Sequence, residues 1–91
     1  MSLNDLQHGE ILKETGLKLE AIRKELRMSK VTVADKAGIN RKTLERIEKG
    51  KNLSYDSLIR LLRVYGILYR LDDVFESPRL SPREKFQGNN G

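Results

Sequence analysis

The chain contains no cysteine and no tryptophan, a single histidine, and only two prolines, both beyond residue 76. Without cysteine there is no disulfide framework and no thiolate metal site. The lone histidine, His8, lies in a polar terminal stretch and reads as a solvated side chain. No apolar run approaches the roughly 20 residues of a membrane span, and the amino terminus lacks the apolar core of a signal peptide. The expectation is therefore a cytoplasmic protein with no membrane partner. No glycine-rich phosphate loop follows a strand, and no strand is expected at all. Glu45 and Glu48 are interleaved with Arg46 and Lys49, which favours ordinary ion pairing over acid–base chemistry. No enzyme, no cofactor and no metal site is expected.

Ninety-one residues at 37% hydrophobic and 34% charged point to one domain with a thin core. A chain of this size buries about 60–65% of its unfolded surface, so help from a dimer partner fits. The net charge of +5 is unevenly spread. Residues 23–51 hold ten Lys/Arg against Glu25, Asp35, Glu45 and Glu48, a local +6, whereas the remainder holds eight against nine, or −1. The excess positive charge is thus confined to one stretch, as a polyanion partner requires.

That stretch contains the most structured pattern in the chain, residues 30–50, KVTVADKAGINRKTLERIEKG. Ser29 is a good N-cap for a first helix. Val33, Ala34 and Ala37 form one narrow apolar stripe, and Ala34 is small where a second helix would cross. Gly38 suits the left-handed position that ends a helix. Ile39 plugs the corner and Asn40 caps a second helix, whose buried stripe is Leu44 and Ile47 and whose stop is Gly50. This predicts a helix-turn-helix.

Upstream, Ile11, Leu12, Leu19, Ile22 and Leu26 recur at helical intervals and predict a helix over about residues 10–27, with Gly16 as a kink or a break. Residues 1–9 are expected to be a flexible lead. Downstream, Ser54 caps a fourth helix with Leu58, Leu61, Leu62 and Tyr65 on its core stripe, and Gly66 ends it. Ile67, Leu68, Leu71, Val74 and Phe75 predict a short fifth helical segment. Two Ser-Pro steps then break any helix, so residues 77–91 are expected to be a partly disordered tail and residues 10–76 the domain.

The spacing of Ala34, Gly38, Leu44 and Ile47, closed by Glu48-Lys49-Gly50, resembles the Xre/lambda-repressor type of helix-turn-helix. The resemblance covers roughly residues 16–76. It implies an all-α, five-helix DNA-binding domain with a flexible C-terminal tail. It also implies that Arg23 pairs with Glu48, ties the first helix to the recognition helix and turns its remaining donors toward a phosphate. In the family the fifth helical region often builds a dimer, here through Ile67, Leu68, Leu71, Val74 and Phe75. The alternative for that region is closure of the monomer's own core.

A helix fits the major groove with its N-terminal residues at the base edges. Asn40, Arg41, Lys42 and Thr43 stand at that end of the recognition helix, and Arg46 lies one turn further along. Lys49 and Lys51, at the far end, are expected to meet only phosphate or solvent. Lys30 occupies a position where the family commonly has glutamine. It can reach a phosphate or a guanine but cannot make the two-way amide contact of glutamine. The leading expectation is a sequence-specific transcriptional regulator, a repressor, binding operator DNA as a homodimer. Residues 66–86 are further similar to HipB-type antitoxins, which implies a HipA-like kinase toxin as a partner. The alternative is a helical protein-interaction module that keeps the fold without reading DNA.

Overall fold

The computed structural model describes residues 2–76, whose regular elements are all helices, with no strand among them. The tail expected to be disordered, with its two Ser-Pro steps, lies outside the described residues. Four α-helices are followed by a 3-10 helix: α1 (His8–Glu25), α2 (Lys30–Ala37), α3 (Arg41–Glu48), α4 (Tyr55–Val64) and the 3-10 helix Leu68–Phe75. Helix α2 packs against both α3 and α4, and α1 packs on α3. Leu44, Ile47, Leu61 and Val33 are the large side chains wholly removed from water, joined in the core by Leu19, Ala34, Ala37 and Tyr65.

The local reasons for these elements are mostly those legible in the residues. Ser29 Oγ accepts from the Thr32 N–H at 3.1 Å, Asn40 Oδ1 from Lys42 N–H at 2.7 Å, and Ser54 Oγ from Ser57 N–H at 3.0 Å. Each satisfies one of the unpaired donors at the start of a helix. Gly38, at φ 69°, closes α2 in the left-handed region.

Four features differ from expectation. First, α1 begins at His8, inside the stretch expected to be a loose lead, because Glu10 Oε1 accepts from the Gln7 N–H at 3.0 Å. Residues Leu3–Asp5 form a 3-10 turn of their own, held by Ser2 and Asp5. Second, α1 ends at Glu25 rather than at residue 27. Arg27 takes φ 57°, and the Met28 N–H donates to the Arg23 carbonyl at 3.1 Å. This is a glycine-type helix stop built without glycine.

Third, Gly16 neither kinks nor breaks α1. It is buried mid-helix, where a Cβ would collide with the Ile47 carbonyl oxygen and approach that of Glu48 to 2.8 Å. Gly50, at φ 84°, makes the reciprocal approach, with the Lys13 Cα 2.7 Å from where its Cβ would stand. Two glycines thus let the backbones of α1 and the end of α3 touch. Fourth, the fifth segment is helical as expected but is a 3-10 helix, whose period is three residues. Its side chains therefore line up as Leu68/Leu71/Val74, Tyr69/Asp72/Phe75 and Arg70/Asp73/Glu76.

Candidate nucleic-acid interface

Helix α3 is eight residues long and sharply divided. Leu44, Ile47 and Glu48 face inward and are buried, while Arg41, Lys42 and Arg46 are exposed and Thr43 is half-buried. Its two ends are treated differently. The C-terminal end is fastened to α1, and the N-terminal end, capped by Asn40, is free toward solvent. A helix presented this way can enter a groove with its first turn leading.

The fastening is an ion pair. Arg23 Nε donates to Glu48 Oε2 at 2.8 Å and Nη2 to Oε1 at 3.2 Å, a two-pronged contact between side chains only 8% and 3% exposed. Nη1 donates to the Met28 carbonyl at 3.0 Å. Three of the five N–H donors of Arg23 are thus committed within the protein, the third to the carbonyl of the α1–α2 turn, so at most two remain for the phosphate that the resemblance implies. The hydrogen bond to Glu48 raises the Arg23 pKa, against the opposing effect of burial.

Tyr65, from the end of α4, lies beside this pair, and its buried hydroxyl has no hydrogen-bond partner. Burial pushes the phenol up to about 12, with the Glu48 carboxylate adding to the rise and Arg23 opposing it. The periodicity of α4 marks Tyr65 as core, but nothing in the pattern places its hydroxyl next to a residue of α3.

The cations on the outer face fall into two groups. Lys30 Nζ lies 3.6 Å from Glu45 Oε2 and Arg41 Nε lies 3.9 Å from Glu45 Oε1, so a single carboxylate restrains both. Lys42, Arg46, Lys49 and Lys51 make no ion pair among the described residues. Asn40 has its side-chain oxygen committed to the cap, which leaves its amide N–H groups as donors.

Thr43, Arg46, Lys49, Lys51 and Asn52 line one concavity of about 510 Å³. This brings Arg46, expected at the bases, beside Lys49 and Lys51, expected at phosphate. Asn52 joins them because Gly50 turns the chain back and the Lys51 N–H donates to the Arg46 carbonyl at 2.9 Å. The residue pattern marks Asn52 only as part of a loop; the Lys-Asn pair directly after the glycine is the available signal. Lys49, Lys51 and Asn52 give one side of this recess the chemistry of a phosphate seat, with Arg46 on its other side.

The residues expected at a dimer interface are split. Ile67 is half-buried against the core and Leu68 and Leu71 are half-buried, whereas Val74 is 69% and Phe75 67% exposed. Tyr69, equally exposed at 69%, was not among the expected residues.

A short capped helix turned at a left-handed glycine onto a second helix with a cationic outer face defines a helix-turn-helix domain that binds DNA. The sequence profile of the helix-turn-helix family matches residues 19–69, more than half of the chain. The chain belongs to the Xre/lambda-repressor-like helix-turn-helix family, a family of DNA-binding regulators. No curated protein matches it. Among the described residues no helix is long and apolar enough to cross a membrane.

Proposed function

We propose that this regulator is a repressor that reads the major groove sequence-specifically as a homodimer. The observation that supports it best is the outer face of α3. Arg41, Lys42, Thr43 and Arg46 are held on a helix whose C-terminal end is locked by Arg23–Glu48, with Lys49, Lys51 and Asn52 flanking them. Lys30 anchors the start of α2 to phosphate once DNA competes with Glu45 for it. An apolar or acidic face would have suited the rival protein-interaction module; a basic one does not.

The dimer joins near residues 66–76, where Val74 and Phe75 are unburied, and must hold two recognition helices about 34–36 Å apart. A narrower form of the proposal, the antitoxin of a toxin–antitoxin operon, is supported by the resemblance of residues 66–86 alone. There, a kinase encoded beside this gene should co-purify with the full chain and be lost from a chain lacking residues 77–91.

The test begins with selection of bound fragments from genomic DNA, followed by salt titrations on a selected duplex and its shuffled counterpart. A bidentate arginine–guanine contact is worth about 1–3 kcal/mol of discrimination. Arg46→Ala should therefore weaken the selected duplex about ten- to a hundredfold and the shuffled one less. Lys51→Ala should weaken both alike and lower the salt slope by about one unit. No preference for any fragment, or equal losses on both duplexes for Arg46→Ala, would overturn sequence-specific reading.

A further inference from the structure

Away from α3, the junction of α2 and α4 carries a second cationic recess. It has a volume of about 340 Å³, with Ala37 and Val64 as its apolar part and Lys36, Arg60 and Arg63 as its charges. Arg60 is held in place: its Nε donates to Asp56 Oδ2 at 2.8 Å and its Nη1 to the Ala37 carbonyl at 3.2 Å. Lys36 and Arg63 are exposed and make no ion pair among the described residues.

The 3-10 helix has the opposite character. Residues 68–76 carry Asp72, Asp73 and Glu76 against Arg70 alone, a net −2 within a basic chain. The three-residue period sets Tyr69, Asp72 and Phe75 in a row. All three are exposed, two aromatic rings on either side of a carboxylate. Asp72, Asp73 and Glu76 make no ion pair among the described residues, so the acidic row and the cationic recess leave each other unsatisfied within one chain.

We propose that the row Tyr69/Asp72/Phe75 of one protomer docks in the Lys36/Arg63/Val64 recess of a second copy, and the reverse, across a two-fold axis. The inference rests on the dimeric reading above and supplies the surface that the 3-10 helix meets. The aromatic rings cover Val64 and Ala37, and Asp72 takes its place between Lys36 and Arg63. A two-fold axis makes the contact twice, so one modest complementarity is doubled. It also separates the faces of the 3-10 helix: Leu68 and Leu71 are half-buried, and the neighbouring, exposed row serves the partner.

The test uses the full chain without DNA, measured by sedimentation over a range of concentrations, with folding checked by circular dichroism. Arg63→Glu and Asp72→Arg each place like charges in both copies of the contact, and each should weaken the dimer about tenfold or more. An equimolar mixture of the two variants should restore near wild-type dimerisation. In that mixed pair the Arg63→Glu recess meets Asp72→Arg, and the unchanged Arg63 meets the unchanged Asp72. A monomeric wild type would remove the dimer itself, and this docking with it. A wild-type dimer that neither variant loosens, or that the mixture fails to restore, would overturn this docking and leave the dimer standing. Rescue by both changes in one chain but not by mixing would place the contact within a protomer, which also overturns it.

Discussion

Replacing Glu48 with alanine tests the core of the structural argument. The carboxylate meets Arg23 twice, at 2.8 and 3.2 Å, with both side chains almost wholly out of water. Removing it leaves a guanidinium buried without its counter-charge, which costs about 3–5 kcal/mol. A domain of about 75 residues has a total stability of roughly 4–11 kcal/mol. The variant should therefore lie close to its unfolding threshold. In a urea titration followed by circular dichroism, a slope near about 1 kcal/mol/M would move the midpoint down by about 3 M or more. The paired change Arg23→Leu with Glu48→Leu should recover most of the loss, because an apolar pair needs no desolvation of charge. It should still lack the bond to the Met28 carbonyl, about 1 kcal/mol. If Glu48→Ala lost less than about 1 kcal/mol, the pair would be behaving as a solvent-screened surface contact, and the account of how α3 is locked would fail.

Gly16→Ala should destabilise by about 1–3 kcal/mol by overpacking against the carbonyls of α3, although alanine gains about 1 kcal/mol in helix propensity; a more stable variant in the same urea assay would refute the close approach. Tyr65 has its phenol raised from 10 to about 12, so the folded state holds its proton more tightly than the unfolded chain. The resulting stability is complete below about pH 10 and is lost as pH rises toward 12, up to about 2.7 kcal/mol for a two-unit shift. Tyr65→Phe should be at least as stable as wild type at pH 7, since the lost hydroxyl is buried without a partner and its desolvation is no longer a cost; its advantage should grow above pH 10, and parallel pH profiles would refute this. Glu45→Gln should free Lys30 and Arg41 and raise affinity for any duplex, with the salt slope steeper by about one unit; unchanged binding in a filter or anisotropy titration would show that Glu45 restrains neither.

The helix-turn-helix was legible because its determinants are local. Ser29, Asn40 and Ser54 cap, and Gly38 and Gly50 turn, for reasons contained within four residues of each position. The contact between Arg23 and Glu48 came from the family resemblance; periodicity says nothing about two side chains 25 residues apart. What stayed hidden depends on what lies opposite. Gly16 reads as a helix breaker until the carbonyls of Ile47 and Glu48 are seen against it. Arg27 carries no sign of a left-handed backbone. Residues 68–75 have apolar spacing that suits either helical period, and only the backbone decides for three. Glu45 looked like a partner for its helical neighbours, yet it also reaches Lys30, on the preceding helix.

The touching backbones of Gly16 with α3 and of Gly50 with Lys13 set a limit on how this protein can be shortened. The family match begins at residue 19, and a fragment trimmed to that boundary would look complete by its helix-turn-helix alone. It would lack both Gly16 and Lys13, the surface on which the end of α3 rests. An eight-residue helix has no stability of its own in water, and its posture depends on what it leans against. The working unit for DNA binding therefore starts no later than Lys13, inside α1. Six residues, 13–18, that contribute no side chain to the cationic face help to set its posture.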